Sequence, residues 1–159
     1  MKHPLYALLL LPLAAVLWWV LGGARAATGM GFAPVLPEAV FSPAEYDAGT
    51  VFDYMNGAAE HYLRHGFKAL KVWTGKAGET EVTVELYLVD SPPNARLLYE
   101  RARGGEETTV DGTPVAVGSG AGAACAGKFF LRVYTYPERD EVPRQILNAF
   151  ARWYRGQNR

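Results

Sequence analysis

Disulfides are the first thing this sequence goes without. Its 159 residues contain one cysteine, Cys125, so no intramolecular bridge can form and the fold has to hold on its core alone. Cys125 lies between Ala124 and Ala126, with no histidine close in sequence to favour a thiolate. That context marks a small buried residue and not a nucleophile. Charge imbalance is missing too: sixteen Lys and Arg stand against sixteen Asp and Glu. Such a balance excludes the basic surface by which proteins select nucleic acids or anionic membranes. There is no internal repeat with a period of about 20 to 50 residues, which removes a solenoid from consideration.

A long apolar run occurs at the start. MKHPLYALLLLPLAAVLWWVLGGARA has Lys2, an unbroken apolar stretch from Leu5 to Leu21, and then Ala24-Arg25-Ala26. This is the layout of a secretory signal peptide with a small-x-small cleavage site, over residues 1–26. The alternative is an uncleaved anchor in the inner membrane over residues 5–21, although a bilayer span takes about 20 apolar residues. Either reading exports the rest of the chain to the periplasm or another extracytoplasmic space, and limits membrane contact to the N-terminal segment. No cysteine stands directly after the run, so a lipid-modified N-terminal cysteine is excluded. Taking the first 26 residues from 159 leaves 133, room for one domain with one core. Losing Lys2 and Arg25 from a balanced chain sets that domain at a net charge of −2.

Residues 27–45 carry Gly29, Gly31, Pro34, Pro37 and Pro43 without a sustained period, which predicts an extended lead-in or tether. A domain over residues 46–159 follows. Helix is expected from Thr50, where Thr50 and Asp53 resemble a capping box, to Gly66. The segment from Lys68 to Thr74 and the alternating ETEVTVELYLVD predict a hairpin around Gly75 to Gly78. Ser91-Pro92 opens a helix whose stripe is Ala95, Leu98, Tyr99 and Ala102, ended by Gly104-Gly105. An acidic, Gly-containing link leads to two short strands between Pro114 and Ala126. KFFLRVYTY is a strand with Phe129, Leu131 and Val133 opposite Phe130, Arg132 and Tyr134. A last helix from Asp140 presents Val142, Ile146, Ala149, Phe150 and Trp153 on one face. The expected order is α-β-β-α-β-β-β-α: an α+β domain with a mainly antiparallel sheet of about five strands and its helices on one face.

Two motifs suggest chemistry that they cannot complete. Gly122 to Lys128, G-A-A-C-A-G-K, matches the start of a phosphate-binding loop. The Ser or Thr that should follow is Phe129, and a strand begins there in place of a helix. A small-residue segment closely approached by another part of the chain accounts for it. His61 and His65, four residues apart, project from one helical face as zinc-peptidase ligands do. The residue after His61 is Tyr62 where that motif has Glu, and the third histidine, His3, belongs to the export segment. They are weak metal candidates, and near a helix C-terminus two surface histidines suffice as an explanation. No cofactor is expected.

FDYMNGAAEHYLRHGF, residues 52–67, places Asn56-Gly57 inside a helical pattern, where Gly costs about 1 kcal/mol relative to Ala. A break is predicted: one helix ends near Met55 and a second starts at Asn56 or Gly57. With Gly57 as the cap, Glu60 falls at the third helical position, able to accept free N–H groups. On this reading Phe52, Met55, Ala59, Tyr62 and Leu63 feed the core; the other reading sends Asn56 and Glu60, a turn apart, into a cleft as ligand contacts.

These residues also resemble a known pattern. Tyr54, Asn56, Gly57, Ala59, Glu60, Tyr62, Gly66 and Phe67 match the Y-[IM]-N-G-[GA]-A-E-x-Y-x-x-x-G-F signature of a family of bacterial exported proteins classed as a domain of unknown function. Val84 to Tyr99, V-E-L-Y-x-x-D-S-P-x-x-A-x-x-x-Y, and Gly127 to Tyr134, G-K-F-F-L-R-V-Y, are similar to it as well. The resemblance runs from about Tyr46 to the end and includes neither His61 nor His65. It implies export and one domain, and no activity.

A further candidate is the sheet face away from the expected core. Lys71, Trp73, Glu81, Glu85, Tyr87, Phe130, Arg132, Tyr134 and Tyr136 would share it, aromatics mixed with charges, as in binding platforms. A solvated face with cross-strand ion pairs, or one covered by the lead-in, is the plain alternative. The candidate binding residues are thus Asn56, Glu60 and Tyr62 from the broken helix, and Trp73, Tyr87, Arg132 and Tyr134 from the sheet. The expected function is a non-catalytic module that binds an envelope ligand or protein. The alternatives are a hydrolase using Glu60 with His61 or His65, and a membrane-tethered structural accessory.

Overall fold

The computed structural model describes residues 30–37 and 39–159. The expected signal sequence or anchor, residues 1–26, and the first part of the lead-in lie outside the described residues. Among those described, no helix is long and apolar enough to cross a membrane.

The elements in chain order are β1 (Val40–Asp47), α1 (Val51–Met55), a 3₁₀ turn (Asn56–Ala58), α2 (Ala59–Arg64), β2 (Phe67–Ala77), β3 (Thr80–Val89), α3 (Pro92–Ala102), β4 (Glu106–Val110), β5 (Thr113–Gly118), β6 (Ala121–Ala126), β7 (Phe129–Tyr136) and α4 (Glu141–Gln157). One antiparallel sheet of seven strands runs β1-β2-β3-β7-β6-β5-β4. The α+β class thus holds, with more strands than the five expected.

The two strands that sequence reasoning missed are the two edges. β1 falls where an extended lead-in was expected; its Val40, Ser42, Pro43, Glu45 and Asp47 are exposed, so it offers no clean apolar alternation. An edge strand can tolerate Pro43 because one side of its backbone has no ladder to complete. β4, expected as a link, is EETTV, exposed along almost its whole length. Backbone pairing to β5 holds it, with no apolar face to announce it.

Helices cover both faces of the sheet, not one. The broken helix α1–α2 and α3 pack on Leu70, Val72, Tyr87, Ala116, Cys125 and Phe130. On the other face, α4 packs Ile146, Leu147 and Phe150 on Val84, Leu86, Val117, Leu131 and Val133. The cause is visible in β7, which is apolar in both directions: Leu131 and Val133 one way, Phe130 the other, all buried. Leaving either side in water would forgo about 1.5–3 kcal/mol for each large side chain.

The lead-in is also fastened down. Met30, Phe32, Pro34 and Leu36 are buried while Gly31, Ala33 and Val35 are exposed. Phe32 meets Trp73 and Phe150 edge-on, with ring centroids 6.0 and 5.5 Å apart. This strap lies over the α4 face. The small-residue stretch is β6 and its turn into β7, and a Cβ on Gly122 would sit 2.6 Å from Leu147 Cδ1. Here α4 comes close to the sheet, which only glycine permits.

Candidate functional site

The helix break that opens the site is made by Asn56, whose φ of 47° and ψ of −133° end α1 and turn the chain into the 3₁₀ segment. The expected caps are not the ones used. Thr50 makes no side-chain cap bond. Its hydroxyl and backbone N–H donate to Asp47 Oδ1, both at 3.0 Å, closing the turn that precedes α1. Glu60 does not cap α2 either; it pairs with Arg64 at 3.2 Å, both side chains largely in solvent. Neither orientation expected for Glu60 is adopted, since it faces neither a cleft nor backbone N–H groups.

Beneath the broken helix, β3 and β7 pair so that Glu85 lies directly across from Arg132. The Glu85 carboxylate is buried and accepts hydrogen bonds from Tyr54 Oη at 2.8 Å and Tyr87 Oη at 2.9 Å. Arg132 Nη1 is 3.8 Å from Glu85 Oε2 and donates to Tyr62 Oη at 2.8 Å. Removing a carboxylate from water costs several kcal/mol, which an opposite charge and two O–H donors offset. Burial, followed by the Glu85 charge, raises the proton affinity of Tyr54 and Tyr87 above that of an ordinary phenol, so both remain donors.

A stack of rings holds these groups. Tyr62 lies on Tyr87 with centroids 4.6 Å apart and planes 11° from parallel, and Tyr87 lies on Phe130 at 5.4 Å. Tyr54 stacks on Tyr46 at 5.1 Å, and the Arg132 guanidinium lies 4.6 Å from the centre of the Tyr134 ring. Of the sequence candidates, Tyr62, Tyr87, Arg132 and Tyr134 are therefore brought together. Trp73 is not: it is buried on the α4 face, and Lys71 lies on that face beside it. Asn56 is exposed at the break, and neither it nor Glu60 lines the cleft described next.

Between α2, α3 and β7 is an open cleft of about 190 Å³. Its polar lining is His61, Tyr62, Arg101 and Arg132, and Leu98 and Phe130 contribute apolar walls. Arg101 Nη1 sits 3.4 and 3.5 Å from the two ring nitrogens of His61, bound to neither in preference. His65 points back into its own helix, with Nδ1 2.6 Å from the His61 carbonyl oxygen. Partial burial, then the neighbouring His65, Arg101 and Arg64, lower the proton affinity of His61 below that of an ordinary imidazole. Among the described residues, no three His, Cys, Asp or Glu side chains converge as a metal site would require.

Sequence reasoning missed Arg101 and Leu98 as cleft residues and Tyr54 as a partner of Glu85. Tyr54 had a signal, as the first position of the helix-break motif. Arg101 had none, because nothing local says which helix will face α3. Comparison with protein-family models, with curated proteins and with solved structures finds no match to this chain.

Proposed function

We propose that this chain is an exported, non-catalytic binding module of the cell envelope, and that its ligand seats in the cleft between α2 and α3. The N-terminal signal pattern and the resemblance to exported proteins of unknown function support the location. The observation that carries the binding reading is the pairing of Arg101 and Arg132 on one small cleft that also offers the Tyr62 hydroxyl and the apolar Leu98 and Phe130. Orienting donors beside apolar contact area are what a binding site needs. A general base would need a carboxylate with a free lone pair within reach of substrate. Glu85 is buried under two phenols and Glu60 pairs with Arg64 in solvent, which favours binding over hydrolysis.

The test is a ¹⁵N-NMR screen of the full-length chain in non-ionic micelles against a mixture of envelope metabolites, run beside ester, peptide and glycoside hydrolysis assays. Shift changes gathered on His61, Tyr62, Arg101 and Arg132 are the expected result. Turnover that is lost in Glu60→Gln would overturn the reading.

A further inference from the structure

We infer that the ligand of this cleft is a small monoanionic carboxylate, held by the guanidinium groups of Arg101 and Arg132 with its apolar body against Leu98 and Phe130. The inference rests on the binding reading just given and names the chemistry that the cleft selects.

Charge accounts for the first part. The other arginines of α2, of α3 and of its C-cap each have an acidic partner: Arg64 with Glu60, Arg96 with Glu100, and Arg103 with Glu100 and Glu107. Arg101 has no acidic partner among the described residues and rests against the His61 imidazole. It faces the same cleft as Arg132, a second cation. Two guanidinium groups around one cavity repel each other, and an anion between them converts that repulsion into two charge-assisted contacts. Glu85, 3.8 Å from Arg132, already offsets one of the two positive charges. These two arginines and Glu85 together carry a net charge of +1, which a carboxylate cancels and a phosphate dianion exceeds.

Hydrogen bonding agrees. Arg132 uses Nη1 on Tyr62, and a guanidinium has five N–H groups, so others remain for a ligand. Tyr62 accepts from Arg132 and places its hydroxyl on the same cleft. Planar guanidinium and planar carboxylate match edge to edge. Size limits the rest: about 190 Å³ is below the roughly 300–1,000 Å³ of pockets for drug-sized ligands. An acid of a few carbons or one ring fits this, whether a free metabolite or the carboxylate at a chain end.

Isothermal titration of the full-length chain with benzoate, benzamide, inorganic phosphate and N-acetylphenylalanine tests this, with ¹⁵N-NMR locating each contact. Benzoate is expected to bind at the cleft about tenfold or more tighter than benzamide, its neutral isostere, and tighter than phosphate. Arg101→Gln should weaken benzoate by about tenfold or more, and Arg144→Gln, on α4 across the sheet, should leave it unchanged. Arg132→Gln should weaken it too, but it also strips buried Glu85 of its nearest cation, so the solvent-exposed Arg101 decides. N-acetylphenylalanine binding tighter than benzoate assigns the site to a chain-terminal carboxylate; weaker binding assigns it to a free small acid. Benzamide matching benzoate at the cleft overturns the anion assignment and leaves the binding reading standing. Phosphate binding more tightly overturns the carboxylate class. No shift at the cleft with any of the four overturns both.

Discussion

The ring of Tyr62 lies flat on the ring of Tyr87, 4.6 Å between centroids and 11° between planes. One belongs to the short helix α2 and the other to β3, so the stack docks that helix on the sheet. The Tyr62 hydroxyl then holds Arg132 toward the cleft, which joins the packing of the helix to the placement of a charge.

Tyr62→Phe keeps the stack and removes the acceptor for Arg132. It is expected to cost about 1 kcal/mol, the size of one partly exposed hydrogen bond. Tyr62→Ala removes the stack as well and should cost about 2–4 kcal/mol. Urea midpoints for the two variants give the comparison; equal losses would mean that the ring contact contributes nothing.

Asn56 pays a backbone strain that glycine would not. At φ 47° and ψ −133° an L side chain is crowded by its own backbone. Asn56→Gly should therefore stabilise by about 0.5–1 kcal/mol, and Asn56→Ala should destabilise by about 1 kcal/mol. Thermal unfolding checks both. A loss of stability on Asn56→Gly would show that the amide side chain makes a contact worth more than the strain.

Cys125 is buried in strand β6 under α3, and burial pushes its thiol up to about 11. At pH 8 the native protein should react with a disulfide reagent only as fast as it opens, and the unfolded protein at once. Labelling time courses with and without denaturant read this directly. Rapid labelling of the native chain would place the thiol in a more accessible setting than the fold shows.

His61 sets a direction for stability against pH. Its folded proton affinity is lowered, first by burial and then by His65, Arg101 and Arg64, with Arg132 lining the same cleft. Below the ordinary value of 6.5 the unfolded chain then binds more protons than the folded one, so this contribution falls as pH drops through that window and is complete above it. Unfolding midpoints between pH 5 and pH 7.5 should rise with pH in the wild type and rise less steeply in His61→Gln. Identical slopes would remove His61 as the source.

Much of this molecule is legible in local pattern. β3 alternates, β7 is dense in aromatic and β-branched residues, α3 and α4 carry continuous apolar stripes, and Asn56-Gly57 marks a break where α1 in fact ends. The edges β1 and β4 escape because an edge strand needs only backbone partners. Trp73 shows a second limit. Its alternation with Val72 says that the two residues face apart, but both are buried, so the pattern does not say which core each enters. Pairing decides: Val72 lies opposite Glu85 and Trp73 opposite Val84. A shift of one residue exchanges the faces.

By itself the sequence determined that no disulfide holds this chain, that the broken helix must turn at Asn56-Gly57, and that Tyr87, Arg132 and Tyr134 alternate away from the Val84 and Leu131 core. Those properties follow from spacing along one segment and from single side chains. Only the tertiary structure decided that Glu85 meets Arg132, that helices cover both faces, and that Arg101 reaches His61 from another helix. Those contacts join segments far apart in number, 47 residues from Glu85 to Arg132 and 70 from Tyr62 to Arg132, and depend on strand register and on which helix buries which face. Burial summed over the whole chain selects both, and no local period encodes them.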